Sequence, residues 1–289
     1  MSPMILPGML VLSTTDPATT FVHWFFLVIS YVWGSPFYLF AIPYIYWGRD
    51  RRLGIEVAIM FLTSSLINVW LKDWFKVPRP PKKEWVPSWA EPGSYSFPSG
   101  HAQAAGSFWT FMSVMVRKYW MVVTGVVLTG LVCYSRVYIG VHTWTEIIVG
   151  LLIGLAIAII FIGIRKKAYH LVTRMDHVQR LSLAVAIPVM LFLCVRTVTF
   201  GQLSGFLMGV LVGAEIDSMG LHMPECKNGP QRRARLVTGY LLCGAIMFGL
   251  GHFGNSEPGW QFAVYTLSGM GVTYFAPLLF SKLEKWDGQ

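Results

Sequence analysis

Charge is scarce in this sequence. Asp, Glu, Lys and Arg make up 13% of its 289 residues, about half the roughly 25% of a soluble domain, while hydrophobic residues make up 54% and the mean hydropathy is +0.54. The shortage argues against an ordinary water-soluble fold and for a chain that spends most of its length in lipid. Acidic residues are the scarcer sign, 14 against 23 basic, for a formal charge of +9. No polar domain gathers the surplus into a patch, which excludes nucleic acid as a partner; the basic residues sit in short gaps between apolar runs, as membrane topology is written. Cysteine is sparse too. Cys133, Cys194, Cys226 and Cys243 show no C-x-x-C spacing and three lie inside apolar runs, so they are read as small buried apolar residues and not as metal ligands or a disulfide framework. His222 and Cys226 are four apart but lack a second pair, and no metal site is read there. The first twenty residues lack a basic stretch, so no cleavable signal peptide is expected. Met4 to Leu12 is too short to span and is placed along the membrane interface.

What is abundant is long apolar runs. A spanning helix needs about 20 apolar residues, because lipid offers no partners for free backbone groups. Runs of that kind cover Phe21–Trp47, Leu53–Leu71, Ala102–Val116, Tyr119–Tyr134, Trp144–Ile164, Leu181–Phe200, Leu203–Leu221, Leu236–Phe253 and Gln261–Phe280. The expected fold is all-α, a polytopic transmembrane helix bundle of about nine spans. Three regions are expected: an amino-terminal segment, 1–20; a core, 21–170; and additional carboxy-terminal helices, 171–289.

Alternating the gaps across the membrane puts sixteen of the 23 basic residues on one side, from Arg49 to Lys285. Seven fall on the other: Lys72, Lys76, Arg79, Lys82, Lys83, Arg136 and Arg196. The richer side is cytoplasmic by the positive-inside tendency. The amino terminus, the long 73–100 loop and the 135–143 loop then face outward, to periplasm, exterior or lumen. In that loop Pro78, Pro80, Pro81, Pro87, Pro92 and Pro98 prevent continuation of the second helix, and Trp85 and Trp89 suit the headgroup level. Lys76, Lys82 and Lys83 are read as solvated or headgroup-facing charge.

The outward segments carry the chemistry. Lys72 ends the second span and Arg79 follows seven residues on; Pro98, Ser99, Gly100 and His101 open the third; and Ser135, Arg136, His142 and Glu146 cross from the fourth to the fifth. A helix start presents free N–H groups and a positive dipole end, so Ser99, Gly100 and His101 make an anion seat, with Ser99 either capping the helix or bonding the ligand. With a helix beginning near His142, Glu146 lies one turn on, where it can orient one imidazole nitrogen and leave the other free to attack. Three cations, hydrogen-bond donors and two histidines suit a phosphoryl group, whose charge must be met on several oxygens while attacking and leaving groups stay in line. No carboxylate cage for a metal is visible, and neither metal nor cofactor is expected.

These spacings, K-x6-R-P, P-S-G-H and S-R-x5-H-x3-E, resemble the three signatures of the type 2 phosphatidic acid phosphatase superfamily of integral membrane lipid phosphatases. The match runs over about Leu53 to Ile164. It departs at one position, where Glu146 stands in place of the family's aspartate. The resemblance implies that His142 attacks phosphorus to form a phosphohistidine, oriented by Glu146, and that His101 protonates the leaving oxygen. It implies that Lys72, Arg79, Ser99, Gly100 and Arg136 bind the phosphoryl oxygens. The implied substrate is a lipid phosphate, with polyprenyl (undecaprenyl) diphosphate first and sphingoid-base phosphate or phosphatidate as alternatives. Lipid phosphotransfer and an inactive lipid-binding or transport relative are further alternatives, the last favoured only by Glu146.

Beyond residue 180 no motif is recognised. Gly201, Gly205, Gly209 and Gly213 recur every four residues, which lines one helix face with small side chains and predicts close packing against another helix. Glu215 and Asp217 are either inside the seventh span, needing a cavity or a pair, or at its cytoplasmic edge.

Overall fold

The computed structural model describes residues 17–81, 83, 85–87, 93–220, 229–252 and 256–286. Among these the chain is helical throughout, with no strand. Eleven α-helices follow in order: α1 Pro17–Val32, α2 Ser35–Gly48, α3 Arg51–Phe75, α4 Gly100–Val116, α5 Tyr119–Tyr138, α6 Trp144–Thr173, α7 His177–Cys194, α8 Val198–Ser218, α9 Gly229–His252, α10 Pro258–Met270 and α11 Ala276–Trp286, the last two joined by a π-helical turn, Gly271–Phe275. Among the described residues six of these helices, α3 and α5 to α9, and the continuous helical run Pro258–Leu283 are long and apolar enough to cross a membrane; the bent pair α1–α2, counted as one broken span, would be an eighth. The chain is a multi-pass membrane protein. The expected interfacial segment Met4–Leu12, Lys82, Trp89, His222 and Cys226 all lie outside the described residues.

Two sequence expectations are corrected in detail. The first run, Phe21–Trp47, is a helix broken at Trp33 and Gly34, with α1 and α2 bent by 47°. The sixth run is expected to reach Phe200, but α7 ends at Cys194 and α8 starts at Val198, capped by the Thr197 side chain, which accepts from the Phe200 amide at 3.3 Å. Arg196 and Thr197 mark that turn in the sequence, while Val195, Val198 and Phe200 around them are as apolar as the helices they separate.

The chain forms two compact units, one of residues 1–39 and 70–159, the other of residues 40–69 and 160–289. In the first, α4 lies directly on α6. A Cβ on Gly150 would meet the Ser99 carbonyl at 2.5 Å, and one on Gly154 would overlap the Gln103 carbonyl, so these two glycines let the backbones touch. Aromatic edges fill the space between α2 and α4, where Phe37 and Tyr38 pack on Phe108, each 5.4 Å between centroids.

In the second unit the glycine row of α8 packs on α10, as its spacing predicts. Gly201, Gly205 and Gly209 face the carbonyls of Pro258, Phe262 and Thr266, and Gly213 faces the Thr273 hydroxyl. Trp47 is buried and donates from its indole nitrogen to the Val272 carbonyl at 2.8 Å. Glu215 and Asp217 both lie in the last turn of α8 and both are paired. Glu215 Oε1 meets Arg180 Nε at 2.9 Å and His177 Nδ1 at 2.6 Å, and Asp217 pairs with Arg51. Glu56 likewise pairs with Arg52 at 3.0 Å and with Arg165.

Candidate active site

All eight residues singled out from the sequence lie within the first unit; the ends of four helices supply six of them, and the connecting segments supply Arg79 and His142. Lys72 sits in the last turn of α3, where a cation complements the helix dipole. Ser99 precedes α4, with Gly100 and His101 in its first turn; Arg136 is in the last turn of α5; and Glu146 is in the first turn of α6.

His142 lies on the short turn between α5 and α6. Gly140 gives that turn its shape, with φ at +80°, where a side chain is strained. Ile139 and Val141 anchor the turn in a buried cluster with Leu27 and Val86. His142 itself is buried. Its Nδ1 lies 2.8 Å from Glu146 Oε2. Its Nε2 lies 3.3 Å from Arg79 Nη1. An arginine can only donate, so Nε2 is the acceptor and carries a lone pair, and Nδ1 carries the proton given to Glu146. Two neighbours thus fix the tautomer a nucleophile needs. Burial, reinforced by the positive charges of Arg136, Arg79 and Lys72, pushes the His142 pKa down, so the ring stays neutral.

Glu146 is held at both oxygens. Oε2 also accepts from the Thr143 amide at 3.1 Å, and Oε1 accepts from the Ser96 hydroxyl at 2.8 Å. The Glu146 amide in turn reaches Thr143 Oγ1 at 3.4 Å. Thr143 to Glu146 is therefore a capping box, T-x-x-E, which opens α6. The sequence expectation that the helix begins near His142 moves by two residues, since α6 starts at Trp144. The one-turn reach of Glu146 back to His142 is kept.

The anion seat also takes a specific form. The Ser99 amide donates to the Glu146 carbonyl at 3.1 Å, tying the two helix starts together. The Ser99 side chain does not cap α4, and its buried hydroxyl has no partner among the described residues. Arg136 is buried, gives one Nη1 bond to the Ser30 hydroxyl, and keeps an unpartnered buried Nε among the described residues. Buried donors without acceptors cost free energy, and an anion at the start of α4 would satisfy both.

Arg79 is more engaged than the sequence implied. Its Nε donates to the Ser94 carbonyl at 2.7 Å, Nη1 to the Val141 carbonyl at 3.0 Å, and Nη2 to the Ser94 hydroxyl and the Tyr95 carbonyl, each at 3.2 Å. Lys72 also donates to the Tyr95 carbonyl. Arg79 ties residues 94–95 of the loop to the His142 turn and Lys72 holds the same Tyr95 carbonyl, so both cations shape the site as well as charge it.

Ser96, Thr143 and Ser30 were not found from the sequence. Ser96 is two residues from the P-S-G-H stretch and is fully buried; the Thr-x-x-Glu spacing was a legible signal for Thr143. For Ser30, one hydroxyl in the run FFLVISYV, no local signal exists.

Comparison with known proteins places the chain in a family. The PAP2 superfamily model matches residues 53–170, and that of the PAP2 superfamily phosphatase transmembrane extension matches residues 201–287, together more than two thirds of the chain. The chain belongs to the PAP2 superfamily. It is 29% identical to sphingosine-1-phosphate phosphatase 2 of Mus musculus over 60% of this chain and 50% of that one. It is 31% identical to phosphatidylglycerophosphatase B of Bacillus subtilis (39% and 59% covered) and 33% identical to undecaprenyl-diphosphatase of Sulfolobus acidocaldarius (37% and 52%). The chain thus spans about half the length of the curated relatives it matches. Among solved structures, a transmembrane PAP2-type phosphatidylglycerolphosphate phosphatase from Bacillus subtilis aligns over 55% of this chain and 83% of its own, at 25% identity and a TM-score of 0.45.

Proposed function

We propose that this PAP2 protein is a lipid phosphate phosphohydrolase that works without a metal ion, through a phosphohistidine, at the extracytoplasmic face of the membrane. The observation that carries the reading is the fixed tautomer of His142, with Nδ1–H on Glu146 and the Nε2 lone pair turned toward Arg79. The Nε2 lone pair forms a bond to phosphorus as the bond from phosphorus to the lipid oxygen breaks; that oxygen keeps the electron pair and takes a proton from His101. Water then attacks the phosphohistidine, gives its proton to His101, and returns the electron pair to Nε2, releasing phosphate. Lys72, Arg79 and Arg136, with the Ser99 hydroxyl and the Gly100 amide, meet the charge on the phosphoryl oxygens, which is the work a metal does elsewhere.

The outward face is supported by the sixteen-to-seven partition of basic residues. The substrate class is supported by the relatives, whose names cover a sphingoid-base phosphate, a glycerophospholipid phosphate and a polyprenyl diphosphate. The test is phosphate release by detergent-purified protein, with excess chelator, from undecaprenyl diphosphate, sphingosine 1-phosphate, phosphatidylglycerophosphate and phosphatidate. Release that survives chelation and vanishes in a folded His142→Ala variant is the expected result. Full activity in that variant rejects the mechanism.

A further inference from the structure

The first helix lies outside the matched span of 53–170, yet it reaches the site. Ser30 is buried and touches two of the groups described above. Its hydroxyl accepts from Arg136 Nη1, and its backbone carbonyl accepts from the His101 ring. The carbonyl is free to do so because α1 breaks there. In an unbroken helix the Gly34 amide would bond the Ser30 carbonyl, but here it bonds the Tyr31 carbonyl instead, at 3.2 Å. The released carbonyl is the one that His101 uses. Gly34 completes the contact, since a Cβ there would meet His101 Nε2 at 2.9 Å, closer than real side chains approach.

We propose that the break in α1 is a positioning device for the chemistry, in which Ser30 and Gly34 hold the His101 ring and the Arg136 guanidinium in register with the phosphoryl site. The proposal rests on the reading of His101 as the proton donor and Arg136 as a phosphate ligand. Its physical content is specific. A carbonyl acceptor on one imidazole nitrogen holds an N–H there and fixes the ring plane; burial and the Arg136 charge outweigh that bond and push the His101 pKa down, so the ring takes up its second proton only when the substrate anion is beside it. The other nitrogen is left for the substrate. The Ser30 hydroxyl takes one of the Arg136 donors, so the guanidinium cannot rotate freely and its unpartnered Nε stays oriented.

The two residues make separable predictions. Gly34→Ala displaces His101, so it should slow phosphohistidine formation where the leaving group needs a proton and spare it where the leaving group does not. With full-length protein in detergent, the single-turnover rate of phosphohistidine formation from the lipid phosphate that the wild type hydrolyses fastest should fall by about 10²-fold, the lower end of what a general acid contributes. The same rate from p-nitrophenyl phosphate, whose phenolate leaves unaided, should change by less than about threefold on the same argument. Ser30→Ala should act on binding, raising KM and the inhibition constant of orthovanadate about tenfold, as for loss of a hydrogen bond to a charged group, with Ser30→Thr restoring both. His101→Ala and His142→Ala run beside them. If His142→Ala keeps activity, or His101→Ala slows phosphohistidine formation from both substrates alike, the underlying reading fails. If those controls behave as expected but Gly34→Ala slows that step equally for both substrates or for neither, or Ser30→Thr does not restore binding, the role of α1 is overturned and the reading of the site stands.

Discussion

At the scale of single residues, the departure at position 146 has a physical account. A glutamate there serves two masters, closing the capping box with Thr143 and orienting His142, and its second oxygen is held by Ser96. An aspartate on the same backbone would be one methylene short of that triple contact. Glu146→Asp should therefore lower kcat here by about tenfold or more, the scale of losing a hydrogen bond to a charged group, although it restores the residue usual in the family; an unchanged kcat would reject the account. Burial and three cations push the His142 pKa down, and a histidine is neutral above its pKa. On its proposed role His142 is then unprotonated throughout the neutral range, so the acidic limb of kcat/KM should fall below the ordinary imidazole value of about 6.5. A pH profile checks this, and Arg136→Gln should move the limb upward. The motif residues were legible because their chemistry is carried by residue type and spacing. Ser30 was not, because its meaning comes from a contact with Arg136 that crosses 106 residues of chain.

At the scale of elements, apolar length located the helices but not their breaks. The break at Trp33–Gly34 falls where the flanking residues stay apolar and only hydrogen bonding marks it, through the Gly34 amide that bonds Tyr31. The break at Val195–Thr197 carries one charge, Arg196, within an apolar run, and the Thr197 cap fixes where α8 begins. The small-residue row was legible because glycine every four residues has one geometric use in a membrane helix. Gly150 and Gly154 follow the same rule and seat α4 on α6. A side chain at Gly209 would overlap the Thr266 carbonyl, whereas Gly163 has nothing within 4 Å. Gly209→Leu should lower the thermal midpoint in detergent markedly by parting α8 from α10, by about 2 kcal/mol or more of overpacking. Gly163→Ala should leave it unchanged. Equal midpoints for the two variants would remove the packing role of the row.

For the whole molecule, the basic residues counted in the sequence find partners in the structure that the count could not name. Arg51, Arg165 and Arg180 each take up a carboxylate, Asp217, Glu56 and Glu215. Glu215 and Asp217 are both helical, in the last turn of α8, and both are paired. It also means that part of the basic surplus is structural and part is free to set topology. On the proposed orientation, cysteine at Ser94 should be labelled by an impermeant maleimide from outside intact cells or right-side-out vesicles, and cysteine at Lys167 only after permeabilisation. The reverse pattern would place the site on the cytoplasmic face.

One contact at the site bears on how catalysis begins. With Arg79 resting on Nε2, the nitrogen that would attack is already occupied. On the proposed mechanism a phosphoryl group arriving there meets a guarded nitrogen, and its oxygens must first draw Arg79 Nη1 away. The exchange that delivers positive charge to the substrate would then unmask the lone pair, making recognition and activation one event. A neutral electrophile could not make that exchange, so His142 would be armed only by an anion.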